Sequence, residues 1–383
     1  MQTEKLYERD SELRTFEAEV LSCRPQGTHY AVVLDRTAFF PEGGGQPADQ
    51  GELGGARVLD VHIAGGEILH YTDRALAVGE RVRGEVDDAR RREMTQQHSG
   101  EHIFSGLTHR LFGYDNVGFH IGRDAVTMDF NGSMTREDAL KIERLANEVI
   151  WKNVPIEAFV PTPEELTHLE YRSKKEIDGD VRIVRIEGAD CCACCGTHFA
   201  RTGSIGQIKV TGIQNYKGGV RISILCGVRA LAYEDAALET LREAAGLLNG
   251  KQEETAERVA RLLSERDSLR HGREALALQL FELQAAKEEG PVRLVCAAAP
   301  LAQPGKAAAK LAGEDGTGLA LIPQEDGGWR FALCSPVKDV RPATRVLIAR
   351  FGGKGGGPAD LTQGVLSGGT EWEIRAALKE AMA

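Results

Sequence analysis

His98 and His102 stand four residues apart in the stretch DDARRREMTQQHSGEHIFSGLTHRLFG. On a helix that spacing puts both imidazoles on one face, one turn apart, where they can share a metal ion. Glu101 directly precedes the second histidine, and position 99 is Ser. The zincin protease arrangement, which needs Glu right after the first His, is therefore excluded. A second pair, Cys194 and His198, has the same spacing far along the chain. Together the pairs supply four nitrogen and sulfur donors, the number and softness that zinc favours. Cys194 lies in a crowd with Cys191, Cys192 and Cys195, so the choice of thiolate is open. Cys191 and Cys194 can also be read as a chelate of their own, or as a redox dithiol.

Two elements must carry these pairs. The stretch around His98 reads as one helix closed by Gly113. Strand-like GFHIGRDAVTMDF follows, then an amphipathic helix, SMTREDALKIERLANEVIWKN, with Ser133 or Thr135 as N-cap. VRIVRIEGAD, the cysteine cluster, SIGQIKVTGIQNY and VRISILCG complete an α+β domain over 89–232. Ahead of it, FEAEVLSC, YAVVLD, ARVLDVHIA, EILHYT and RVRGEV are short runs separated by Gly, Pro and Asp. They predict a small β-barrel or sandwich over 1–88, interrupted by a Gly-rich turn at Gly43, Gly44, Gly45 and Gln46.

Residues 233–289 are rich in Ala, Glu, Leu and Arg. Leu262, Leu269, Leu276 and Leu283 recur at heptad spacing, and Asn249-Gly250 splits the run into two helices. A helical hairpin or coiled-coil arm follows, with a homodimer seam as one use of it. From 290 to 383 the reading is an α/β domain. Its strand candidates are PVRLVCAAA, GLALIPQ, WRFALCS and RVLIARF, and its closing helix is WEIRAALKEAMA.

The chain has 383 residues, 42% hydrophobic and 27% charged, enough for two or three packed domains. A net charge of −10 excludes a generally basic nucleic-acid coat but leaves room for a local basic surface. The charged start holds no long apolar run, so neither a signal peptide nor a membrane span is predicted and the expected location is the cytoplasm. Disulfides are then unnecessary, and Cys23, Cys226, Cys296 and Cys334 read as buried small hydrophobes.

His98-Ser-Gly-Glu-His102 followed by Cys194-Cys-Gly-Thr-His198 resembles the paired motifs of the alanyl-tRNA synthetase editing domain and of freestanding AlaX proteins. Val181–Ile186, Thr202–Lys209 and the Gly-rich stretch Phe39–Asp49 extend the match. Gly352-Gly-Lys-Gly-Gly-Gly357 through Gln363-Gly364 resembles the C-terminal domain of alanyl-tRNA synthetase. The resemblance covers nearly the whole chain in the long AlaX form: barrel, editing domain, arm and C-terminal domain. No class II synthetase core is expected ahead of these domains. The family commonly has Gly where Cys195 stands.

The resemblance implies one zinc per chain on His98, His102, Cys194 and His198. It implies hydrolysis of the ester on mischarged tRNA(Ala), with serine and then glycine as the amino acids removed. Thr37 matches a discriminating threonine near the Gly-rich motif. His120 is the nearest counterpart of a glutamine in the synthetase editing domain, and Glu101, His120 or the tRNA's own hydroxyl would assist proton transfer. Gly43, Gly44, Gly45 and Gln46 would face substrate. Arg350 and Lys354 would meet the phosphate backbone. Two rival readings remain: a deacylase for another tRNA such as Ser-tRNA(Thr), and a non-catalytic zinc protein that binds tRNA. A DHH-type phosphoesterase is disfavoured, since the Asp-His-His motif is absent.

Overall fold

The computed structural model describes residues 3–173, 181–325 and 327–383. The chain divides into two compact units, Met1–Thr240 and Leu241–Ala383. Among the described residues no helix is long and apolar enough to cross a membrane.

In the first unit, six strands close a barrel. In order around it they are Thr15–Gln26, His29–Leu34, Glu67–Thr72, Ala56–Ala64, Gly51–Leu53 and Arg81–Val86. Every pairing is antiparallel. Strict alternation points Phe16, Ala18 and Val20 inward with Val82 and Val86. Gly84 leaves room for the Phe16 ring, which a β-carbon there would meet at 2.4 Å. Phe39, Leu34, Leu53 and Val61 complete the barrel core.

The Asp88–Phe112 helix follows at once. Asp87 caps it by accepting from Arg90 N at 3.1 Å, and Gly113 ends it in the left-handed region. Most of its length is buried, so it is a core helix rather than a surface one. Gly100 and Gly106 let it approach its neighbours: a β-carbon would lie 2.3 Å from Cys226 Sγ and 2.3 Å from the Ala189 carbonyl respectively. A four-stranded antiparallel sheet packs against it, in the order Ile208–Tyr216, Gly219–Cys226, Val126–Phe130, Asn116–Ile121. The Arg136–Lys152 helix begins with a capping box between Thr135 and Asp138. A three-stranded sheet, Ile156–Phe159, Ile183–Ile186 and Asp190–Ala193, delivers the cysteine cluster.

The second unit carries the Thr255–Ala285 helix and a five-stranded sheet. The strand order is Val292–Cys296, Thr317–Pro323, Trp329–Cys334, Leu361–Leu366, Gly353–Gly356, with only the first pair parallel. Phe281 and Ala277 anchor the long helix among Val295, Leu311 and Ile322, while Leu262, Leu269, Leu276 and Leu283 are exposed. RVLIARF is not a strand. It belongs to the Arg341–Phe351 helix, which buries Ala343, Thr344 and Leu347 on a 3.6-residue period behind a Pro in its first turn. Of the four scattered cysteines, Cys226 and Cys334 are buried, and Cys23 and Cys296 are half-buried.

Candidate metal centre

His98 and His102 project from one face of the Asp88–Phe112 helix, as their spacing requires. The Asp190–Ala193 strand leads into a loop that brings Cys194 and His198 to the same point. One ligand atom from each of the four lies within 4.8 Å of the others. The three rings crowd together, with centroids 4.6–5.3 Å apart. Cys194 Sγ is 3.4 Å from both His98 Nε2 and His198 Nε2. A tetrahedral zinc with ordinary Zn–S and Zn–N bonds spaces its sulfur and nitrogen roughly 3.5 Å apart, so the donors fit.

The second nitrogen of each ring is held from behind. His102 Nδ1 donates to Asp190 Oδ2 at 2.8 Å, and Asp190 Oδ1 accepts from Arg172 Nε at 2.9 Å. His198 Nδ1 meets Ser99 Oγ at 3.1 Å, and His98 Nδ1 meets Gln46 Oε1 at 2.6 Å. With each Nδ1 held by such a partner, the three Nε2 atoms are free to ligate. All three histidines are buried and Cys194 is half-buried.

The electrostatics agree. Burial alone would push the Cys194 thiol up, but His98, His102 and His198 and a hydrogen bond to His102 hold it well below its usual range. Burial pulls His102 down, yet Cys194 and Asp190 lift it well above an ordinary imidazole. Burial pushes His198 down to about 3. These surroundings favour the thiolate of Cys194, the form that a divalent ion binds.

Comparison with known proteins places this geometry. Residues 181–223 match the family described as "Threonyl and Alanyl tRNA synthetase second additional domain", and residues 10–90 match "tRNA synthetases class II (A)". The alanyl-tRNA editing protein AlaX-L of Pyrococcus horikoshii is 32% identical over 291 residues, covering 73% of this chain and 72% of that protein. The chain belongs to the AlaX-type alanyl-tRNA editing family. The alanine–tRNA ligase of Pyrobaculum calidifontis is 34% identical over 99% of this chain but 44% of its own length. That of Natronomonas pharaonis is 33% identical over 95% of this chain and 42% of its own. The chain thus spans less than half the length of these ligases.

The structure arranges the other candidate residues of this family member as follows. Glu101 is buried beside the ligands. Its Oε1 accepts from Ser105 Oγ at 2.7 Å and Asn116 Nδ2 at 2.6 Å, and its Oε2 lies 4.0 Å from His102 Nε2. His120 is exposed: the alternation of its strand turns Phe119 to His98, at 5.2 Å between ring centroids, and His120 away. Thr37 is fully buried in the barrel unit. Its Oγ1 accepts from Phe39 N at 3.1 Å and meets His70 Nε2 at 2.8 Å. His70 Nδ1 donates to the Val32 carbonyl at 3.1 Å, so Nε2 is bare and Thr37 is the donor.

Gly43, Gly44 and Gly45 form a tight turn. Gly43 and Gln46 exchange backbone hydrogen bonds at 3.1 and 3.0 Å across left-handed Gly44 and Gly45. Arg350 and Lys354 are exposed in the second unit, Lys354 on the sheet's edge strand. Cys195, where the family commonly has Gly, is exposed and outside the ligand group.

Sequence reasoning missed the supporting residues Asp190, Arg172 and Ser99. It also missed Gly196, whose amide donates to Cys194 Sγ at 3.3 Å. A β-carbon on Gly196 would lie 2.1 Å from His98 Cε1. The Gly in Cys-Cys-Gly-Thr-His was the one available signal.

Proposed function

We propose that this chain is a trans-acting editing hydrolase that removes the wrong amino acid from tRNA(Ala), serine first and glycine second. The observation that carries the reading is the three-imidazole, one-thiolate cluster with its Nδ1 partners, in a chain of this family. His98, His102, Cys194 and His198 would hold one zinc, which would supply a Lewis acid at the acylated end of the tRNA. Four protein ligands close the site. Cys194 is the most exposed of the four residues that would hold the ion.

Glu101 takes the proton-handling role. Ser105 and Asn116 fix one oxygen of its carboxylate, and its other oxygen lies on the ligand side. His120 is exposed and has no part in this reading. Thr37 donates inward to His70 within the barrel. An editing site is needed at all because a synthetic pocket rejects a smaller residue, or one that merely adds a hydroxyl, only weakly.

The barrel over 1–88 and the domain over 89–232 form the site, 233–289 is a helical arm, and 290–383 grips the tRNA. There Arg350 and Lys354 meet phosphate. The exposed heptad leucines supply a homodimer seam, which light scattering tests.

The experiment is serine release from Ser-tRNA(Ala) by the wild type and by His102→Ala and Cys194→Ala, with Ala-tRNA(Ala) and Ser-tRNA(Thr) alongside. Loss of release in both variants, with alanine spared, supports the reading. Unchanged rates refute it. Preference for Ser-tRNA(Thr) would reassign the substrate.

A further inference from the structure

We propose that Gln46, in the Gly-rich turn of the barrel unit, is a positioning residue for the metal centre: its side-chain amide sets the tautomer of His98. The inference rests on the metal reading and not on the reaction.

The polarity of the hydrogen bonds fixes the amide. Thr95 Oγ1 donates to the Arg91 carbonyl at 2.7 Å, so at its 2.9 Å contact with Thr197 Oγ1 it must accept. The Thr197 hydroxyl, having donated to Thr95, accepts from Gln46 Nε2 at 3.0 Å. The Gln46 oxygen is therefore the atom turned to His98 Nδ1, at 2.6 Å. An acceptor there keeps the proton on Nδ1 and leaves Nε2 bare toward Cys194 Sγ. All four residues of this relay are buried.

The turn is pinned where the relay needs it. Gly45 has φ 85°, and its carbonyl accepts from Ile121 N at 2.8 Å. A β-carbon on Gly45 would lie 2.6 Å from the Phe119 carbonyl and 2.7 Å from the Phe119 ring, which flanks His98. The buried Arg91–Asp49 ion pair ties the same turn's far side to the helix that carries His98. The glycines thus seat Gln46 against a ligand. Without its acceptor, His98 keeps a buried unsatisfied N–H or turns its protonated nitrogen to the metal.

The test is Co(II) and Zn(II) binding by the full chain. The thiolate-to-cobalt charge-transfer band reports the centre, and competition with a chromophoric chelator gives zinc affinity. Gln46→Leu, close in size but without an acceptor, should bind zinc roughly 10- to 100-fold more weakly. Gln46→Glu retains an acceptor and should stay within a few-fold of wild type. Thr197→Val keeps the side-chain volume but removes the hydroxyl that accepts from Gln46 Nε2, leaving the amide held at this residue only by the backbone N–H on its oxygen at 3.4 Å, and should weaken binding measurably. It decides the matter if circular dichroism shows Gln46→Leu unfolded. Wild-type affinity in Gln46→Leu or in Thr197→Val overturns the proposal. So does a Gln46→Glu loss as large as that of Gln46→Leu. Wild-type protein that binds no cobalt overturns the metal reading itself.

Discussion

Gly196→Ala is the sharpest test of how the metal centre is packed. The Gly196 backbone is outside the left-handed region, so alanine meets no conformational penalty and only space decides. The new β-carbon would lie 2.1 Å from His98 Cε1 and 2.4 Å from Nδ1, where ordinary contact begins at 3.4 Å. The ring cannot yield easily, because Gln46 holds it at 2.6 Å and Cys194 faces its other nitrogen at 3.4 Å. A retreat of about 1 Å far exceeds the ~0.2 Å that a metal–ligand distance tolerates. Zinc affinity should therefore fall by more than the roughly 10- to 100-fold expected for losing a supporting partner. Overpacking should cost the metal-free fold a further ~1–3 kcal/mol. Two readouts separate these effects: zinc competition titration, and thermal unfolding with zinc against thermal unfolding with a chelator. In the variant the gap between the two melts should collapse. Gly246→Ala is the control, since Gly246 lies in the Gly227–Leu247 helix with nothing within 4 Å of the new carbon. It should gain up to ~1 kcal/mol. A Gly196→Ala protein with wild-type zinc affinity would refute the packing argument.

Two further outcomes follow from buried charge. Arg91→Met leaves the Asp49 carboxylate, fully buried, without its guanidinium, and should cost about 3–5 kcal/mol in urea unfolding. A loss under ~1 kcal/mol would contradict the pairing. Burial pushes His70 down to about 4 from an ordinary imidazole value of 6.5. Its stabilising contribution is complete above pH 6.5 and is lost as pH falls toward 4, because the unfolded chain takes the proton first. The whole effect is about 3 kcal/mol. Unfolding free energies measured from pH 7 to 4 should flatten in His70→Gln relative to wild type, and parallel curves would refute the assignment.

The four-residue His/Cys cluster was legible because both pairs are local. A spacing of four on a helix needs no tertiary knowledge, and the resemblance joined the two pairs. Their supports were not legible. Gln46 lies 52 residues from His98, and Asp190 lies 88 from His102, so only the folded chain brings them together. Gln46 was readable as a candidate toward substrate, but its contact with His98 was not readable. His120 lies on the exposed face of its strand, opposite Phe119, a placement that a one-residue offset on a strand decides. RVLIARF shows the limit of composition: Val, Leu and Ile suggest a strand, yet the buried positions follow a helical period. The heptad leucines specify a helix, but their exposure in this chain is a tertiary fact.

X-ray absorption at the zinc edge on the purified protein tests the central claim most directly. The account predicts one zinc per chain, with about three nitrogen neighbours near 2.0–2.1 Å and one sulfur near 2.3 Å. A metal-free protein, or a shell of two or more sulfurs drawn from Cys191, Cys192 or Cys195, would contradict it.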